Sequence, residues 1–291
     1  MVLTCTAQRS GKLLSFLRRE LGMSSGLVKR LKYDHAFAVN GTAQYTNYPV
    51  RPGDVITVTL REGQPAYPAE NGPLDILYED EALIALDKPA GILMHPSSAR
   101  GTGTLANYLA GYYAATGQAC LVHPVSRLDR DTFGVVLIAK NAHAHAAMQK
   151  IMLSGGVEKI YRASVFGGPE ADSGRLDYPI YRPDPLRMQR AVGPQGQAAV
   201  TDYRVLDRGG NVSLLELHPL TGRTHQLRLH CLTAGFPILG DPQYCTDASR
   251  DFSETLALPW QQLCAAKLSF PHPITGQLCE LTSRQHVWWE K

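Results

Sequence analysis

The run Val135-Val136-Leu137-Ile138-Ala139 limits the possible folds of this chain more than any other part of it. It is apolar throughout and has the length expected of a buried strand. It follows at once on a charged segment, residues 123–134, which read His-Pro-Val-Ser-Arg-Leu-Asp-Arg-Asp-Thr-Phe-Gly. The pattern predicts a tight loop closed by Gly134 and held at the edge of a core strand, a place where rigid scaffolds commonly carry reactive groups. In that loop Asp129 lies between Arg127 and Arg130. A carboxylate beside arginines is kept charged and can serve as nucleophile or base. The plainer reading is a cluster of solvated salt bridges.

The rest of the chain is punctuated for a mixed fold. Ser10 is placed to cap a helix with Leu13, Leu14, Leu17 and Leu21 on one stripe, ended by Gly22. Ser24 or Ser25 can cap a second helix, with Val28 and Leu31 inward and Lys29, Arg30 and Lys32 outward. Asn40-Gly41 signals a hairpin after Phe37–Val39, and Pro52-Gly53-Asp54 a turn before a strand at 55–60. Residues 61–73, rich in Pro and Gly, read as a linker. Beyond them strands are expected at 76–78, 83–87, 160–166, 199–207, 211–217 and 277–282, and helices capped by Thr104 and Asn141. Strands outnumber helices without a βαβ rhythm. The expected class is α+β on a mostly antiparallel sheet. The expected domains are 1–62, a linker at 63–73, and 74–291.

Composition narrows the function. Of 291 residues, 44% are hydrophobic and 19% charged, enough for a substantial core. No apolar stretch nears the ~20 residues of a membrane helix, and the N-terminus lacks a signal-peptide layout, so a cytoplasmic location without membrane contact is expected. None of the six cysteines is spaced as Cys-x-x-Cys and the ten histidines show no zinc spacing; reduced thiols and no bound metal are expected. Residues 1–62 hold nine Lys/Arg against four Asp/Glu, a net +5, whereas the remainder is near neutral. A basic head on a neutral body suggests a module that binds a polyanion.

Four further segments join Asp129: Asp87-Lys88-Pro89-Ala90-Gly91, Lys159-Ile160-Tyr161-Arg162-Ala163, Thr221-Gly222-Arg223-Thr224-His225-Gln226-Leu227-Arg228, and Pro237-Ile238-Leu239-Gly240-Asp241. Thr221-Gly222 can open a turn into a helix that ends at Gly235, where Arg223 and free backbone N–H groups suit a phosphate. Arg228, one turn in, can fork onto a carboxylate.

Together, and in this order, these segments resemble the RluA-type family of pseudouridine synthases across about residues 75–283. Residues 10–60, with Ser24-Ser25, the basic second helix, Ala38-Val39-Asn40-Gly41 and Pro52-Gly53-Asp54, resemble the alpha-L RNA-binding motif. The resemblance implies that Asp129 is the catalytic aspartate, Tyr161 the tyrosine lying against the target base, and Arg228 the arginine paired with the aspartate. Arg127 would line the same pocket. Arg223, Lys29, Arg30 and Lys32 are expected to contact RNA. Ser126 and Phe133 depart from the family pattern of His before Arg-Leu-Asp and Ser or Thr before the glycine, which bears on substrate choice.

The implied reaction isomerises a uridine within RNA, ribosomal RNA first and transfer RNA next. The N1–C1′ bond breaks, the base turns, and C5 bonds to C1′. No atom is gained, so no cofactor is demanded and no obligate protein partner is evident. An electron-poor C1′ can be attacked or stabilised by a carboxylate, as in glycosidases; the residues leave direct attack and elimination to a glycal both open. One rival is a non-catalytic RNA-binding or ribosome-assembly protein with a synthase-like domain, against which stand the intact Asp129, Tyr161 and Arg228. The other is a glycoside hydrolase, which would need a second well-placed carboxylate.

Overall fold

The computed structural model describes residues 1–60, 63, 66–97 and 101–290. The first 60 residues carry a sheet and a core of their own. They comprise β1 (Val2–Thr6), β2 (Gly11–Lys12), α1 (Leu13–Arg19), α2 (Ser25–Leu31), β3 (Phe37–Val39), β4 (Thr42–Ala43), β5 (Pro49–Val50) and β6 (Val55–Thr59). The antiparallel order is β1-β6-β3-β4. Alternation along β6 sends Ile56 and Val58 inward, onto Leu13, Phe16 and Leu17 of α1 and Val28 and Leu31 of α2. Ser24 caps α2 by accepting from Leu27 N at 3.2 Å. Asn40 and Gly41, at φ of 51° and 80°, make the two-residue turn between β3 and β4. Ser10 does not cap α1: Gly11 and Lys12 pair with β5, so the helix starts at Leu13 without a side-chain cap. Its inward stripe is Leu13, Phe16 and Leu17, and Leu14 faces solvent.

The second part begins with β7 (Ile76–Glu79), β8 (Leu83–Lys88), α3 (Leu105–Ala115), β9 (His123–Pro124), β10 (Phe133–Ala139), α4 (Ala142–Leu153) and β11 (Glu158–Phe166). Then come β12 (Ser173–Asp177), β13 (Ile180–Tyr181), β14 (Ala191–Val192), β15 (Val200–Gly209) and β16 (Val212–Pro219). The chain ends with α5 (Gln226–Thr233), α6 (Asp247–Thr255), β17 (Leu263–Pro271) and β18 (Leu278–Thr282). Ten strands form one sheet in the order β12-β15-β16-β11-β17-β10-β8-β7, with β18 beside β17 and β9 beside β10. Pairing is antiparallel except between β10 and β17, which is parallel, among the described residues.

β10 is apolar throughout because both its faces are covered. Val135, Leu137 and Ala139 meet Ala144 and Met148 of α4 on one side. Val136 and Ile138 meet Leu105, Leu109 and Tyr113 of α3 on the other. Thr104 and Asn107 cap α3 reciprocally, and Asn141 caps α4. Gly134 belongs to the strand rather than closing the loop before it. Its φ is 105°, and a Cβ there would lie 2.4 Å from the Ala265 carbonyl oxygen, so only glycine lets β17 approach.

Of the expected boundary at 62/63, Arg61, Glu62, Gln64 and Pro65 lie outside the described residues. From Tyr67 onward the expected linker has a fixed course along α3. Pro68 O accepts from Asn107 Nδ2 at 3.0 Å, Glu70 N donates to Asn107 O at 3.1 Å, and Glu70 Oε2 accepts from Gly103 N at 2.7 Å. Among the described residues no helix is long and apolar enough to cross a membrane.

Candidate active site

The loop before β10 is pinned along its length, and that aims Asp129. Val125 N and Ser126 N donate to Leu137 O, and Leu137 N reaches back to Ser126 Oγ at 3.4 Å. Lys88 Nζ, with no solvent exposure, donates to Arg130 O at 2.8 Å and Pro89 O at 2.9 Å. Gln261 Nε2 donates to Thr132 Oγ1. Burial lowers the Lys88 ammonium to about 8, against the pull of Asp131 and Asp129.

Neither flanking arginine holds Asp129, contrary to the expectation from sequence. Arg130 turns to its other neighbour, forking onto Asp131 with Nε and Nη2 both at 2.8 Å. Arg127 is exposed and makes no hydrogen bond or ion pair among the described residues. The partner of Asp129 comes from α5: Arg228 Nη1 donates to Asp129 Oδ2 at 3.1 Å. The fork of Arg228 goes elsewhere, to Asp241, with Nε at 2.6 Å and Nη2 at 2.8 Å. The Asp241 side chain is fully buried and accepts in addition from Gln243 N and Tyr244 N at 2.9 Å. Below, the guanidinium lies 4.8 Å from the centre of the Tyr244 ring. Burial works against the charge of Arg228, but the carboxylates of Asp241 and Asp129 outweigh it and raise the group further. One guanidinium thus bridges a buried carboxylate and a partly exposed one.

Tyr161 enters from β11, where the register against β17 shifts between Ile160 and Tyr161. Such irregularities re-aim side chains beside sites. Its ring packs against two core clusters, one holding Ala265 and the other Ala163 and Val165. Burial, and then the charge of Asp129, raise its hydroxyl, which stays protonated.

The helix carrying Arg228 starts at Gln226, later than expected. His225 precedes it in a left-handed conformation at φ 59°. Gln226 Oε1 accepts from Arg223 N at 3.0 Å, so that N–H is not free for a phosphate. Arg223 itself is exposed, with Nε on Ala198 O at 3.1 Å. His225 is a site residue that sequence reading missed: Nε2 is 3.9 Å from Asp129 Oδ2 and Nδ1 is 2.8 Å from Tyr244 Oη. Asp241, Tyr244 and Lys88 were also given no role. Lys29, Arg30 and Lys32 lie on the exposed side of α2 and the turn after it, in the N-terminal part.

Burial lowers His143, His225 and His230 below the ordinary histidine value of 6.5. Each is therefore protonated more readily in the unfolded chain. Their contribution to stability is present above pH 6.5 and is lost as pH falls through their folded values. The melting temperature is expected to drop on going from pH 7 to pH 5, and the triple replacement of these histidines by glutamine should flatten that fall. An equally steep fall in the triple variant would place the acid sensitivity elsewhere.

Comparisons with known proteins identify the family. The pattern of the RNA pseudouridylate synthase family matches residues 82–233. An uncharacterised RNA pseudouridine synthase of Bacillus subtilis, YlyB, is 37% identical over 278 residues, covering 94% of this chain and 90% of the relative. Ribosomal large subunit pseudouridine synthase D of Nitrosomonas europaea is 38% identical over 245 residues, covering 83% and 71%. Among solved structures, human RNA pseudouridylate synthase domain containing 1 superposes with a TM-score of 0.61 at 25% identity, covering 75% of this chain and 86% of that one. An α+β fold with these relatives defines an isomerase of RNA. Within that class the chain belongs to the RNA pseudouridylate synthase family, of the RluA type.

Proposed function

We propose that this enzyme converts uridines at particular positions of structured RNA into pseudouridine in the cytoplasm, with large-subunit ribosomal RNA as its first substrate class and transfer RNA as the second. The observation that carries the residue assignment is the bridge at Arg228, which holds the partly exposed Asp129 while Asp241 fixes the other edge of the guanidinium. The target base must be unstacked to reach it, which is easiest in loops and single strands. Asp129 stabilises or attacks C1′ as the N1–C1′ bond breaks. The base turns against Tyr161, C5 bonds to C1′, C5 gives up its proton and N1 ends carrying one. Arg228 positions Asp129. The ribosomal preference rests on relatives named as ribosomal large subunit synthases. Mapping pseudouridine in RNA from cells with and without the gene tests it: loss of sites from the large-subunit RNA is the expected result, and loss confined to transfer RNA would reverse the order.

Stacking on Tyr161 sets a second expectation. Base–aromatic stacking is worth about 1–3 kcal/mol, so Tyr161→Ala should lower kcat/KM roughly 10- to 100-fold, and Tyr161→Phe only severalfold. The reverse order would make the hydroxyl, rather than the ring, the working part.

Residues 1–62 serve, on this reading, as a clamp on RNA phosphates. Each lost phosphate contact flattens the log–log salt dependence of binding by about one unit. Reversing Lys29 and Arg30 to glutamate should weaken binding and reduce that slope. An unchanged slope would leave this face merely solvated.

A further inference from the structure

Most of the described arginines of the second part meet a carboxylate. Between residues 74 and 290, nine of them pair with a carboxylate. Among the described residues, Arg127, Arg182, Arg190 and Arg223 do not. Three of these four line one cavity of about 460 Å³, together with Tyr181, Gln195 and Thr224. Each is held by backbone carbonyls: Arg182 Nε on Arg187 O at 2.8 Å, Arg190 Nη1 on Met188 O at 2.6 Å, and Arg223 Nε on Ala198 O at 3.1 Å. Three guanidiniums are therefore fixed in one place with no negative charge to meet them.

The cavity adjoins the candidate active site. Arg190 N donates to Tyr244 Oη at 2.9 Å, Tyr244 Oη meets His225 Nδ1 at 2.8 Å, and His225 Nε2 lies 3.9 Å from Asp129. Thr224, on its wall, is the residue before His225. The loop between β13 and β14, which supplies Arg182 and Arg190, also carries Leu186 at 94% exposure and Met188 at 64%. Fixed cations next to exposed apolar side chains match a nucleic acid strand, with phosphates for the first and bases for the second.

We propose that Arg182, Arg190 and Arg223 form a subsite for backbone phosphates of the RNA strand beside the target uridine. The proposal rests on the functional reading above and specifies how that substrate is gripped. Its test is binding rather than turnover, so its failure is distinguishable from a failure of the catalytic assignment: wild-type isomerisation stands or falls independently.

The variant is Arg182→Gln/Arg190→Gln/Arg223→Gln, which keeps the backbone N–H of Arg190 on Tyr244. The probe is an RNA stem-loop with uridines in its loop, measured across a chloride series. Losing two to three phosphate contacts should flatten the log–log slope by about two units and weaken binding about tenfold or more at moderate salt. Arg175→Gln, which removes an arginine already paired with Asp202, should leave the slope at the wild-type value. If the triple variant melts early, Arg182→Gln/Arg223→Gln replaces it, with a loss of about one unit or more expected. A second arm adds inorganic phosphate at matched ionic strength. Phosphate should displace RNA from the wild type more strongly than chloride does, an excess that the triple variant loses; displacement no stronger than chloride's in the wild type would speak against the subsite. A wild-type slope in the arginine variants, or an equal loss in Arg175→Gln, would each overturn the proposal.

Discussion

Asp129→Asn is expected to abolish isomerisation, by roughly four orders of magnitude or more, the scale on which enzymes lose an essential catalytic group. Shape is kept, and the charge that acts on C1′ is lost. The architecture makes this a clean test, because Arg228 keeps both hydrogen bonds to Asp241 when Asp129 is neutralised. The fold and the affinity for RNA should therefore be near those of the native enzyme. Single-turnover measurement of pseudouridine formation, beside a melting curve and a binding isotherm, checks all three. Appreciable turnover by the purified variant would remove Asp129 from the mechanism.

Asp241→Ala is expected to do the opposite to stability. It strips a buried arginine fork of its fully buried partner and leaves two backbone N–H groups without their acceptor. Breaking a buried pair from one side costs about 3–5 kcal/mol, a fall of roughly 10 °C in Tm for a domain of this size. Activity should drop as well, since the group that presents Asp129 loses its anchor. Asp129→Ala, by contrast, should shift Tm by no more than a few degrees. Equal losses from the two substitutions would mean that the carboxylates share one role. Arg228→Met belongs with Asp241→Ala, because it strands the buried carboxylate, and its effect on rate must be read against its effect on folding.

Much of this arrangement could be read from the chain. Strong local signals survived: the apolar run at 135–139, the Ser24, Thr104 and Asn141 caps, and the Asn40-Gly41 turn all act within a few residues of themselves. The link between Asp129 and Arg228, 99 residues apart, was visible only through the resemblance of whole motifs. The expectation that the flanking Arg127 and Arg130 keep Asp129 charged failed because adjacency in sequence does not fix direction: Arg130 forks onto Asp131 instead. Asp241 went unassigned because it reaches Arg228 from a turn beyond the helix, with no periodicity to betray it. Two nine-residue elements went unforeseen, α6 and β17, and β17 is the central one. Its Leu-Cys-Ala-Ala-Lys-Leu-Ser-Phe-Pro has no β-branched residue, and it becomes a strand only because β10 and β11 flank it. Ser10 failed as a cap for a related reason, since strand pairing by Gly11 and Lys12 claimed the backbone next to it.

The position of β17 has a consequence for the life of the protein. The loop bearing Asp129 leads into β10 and Tyr161 sits on β11, yet those strands are not neighbours in the sheet; β17 separates them. A ribosome finishes β11 at Phe166 and does not begin β17 until Leu263. Until then β10 and β11 lack the strand that sets their separation in the sheet. A chain that stops before Leu263 is therefore not expected to isomerise uridine, whereas residues 1–60, with a core of their own, wait for none of it.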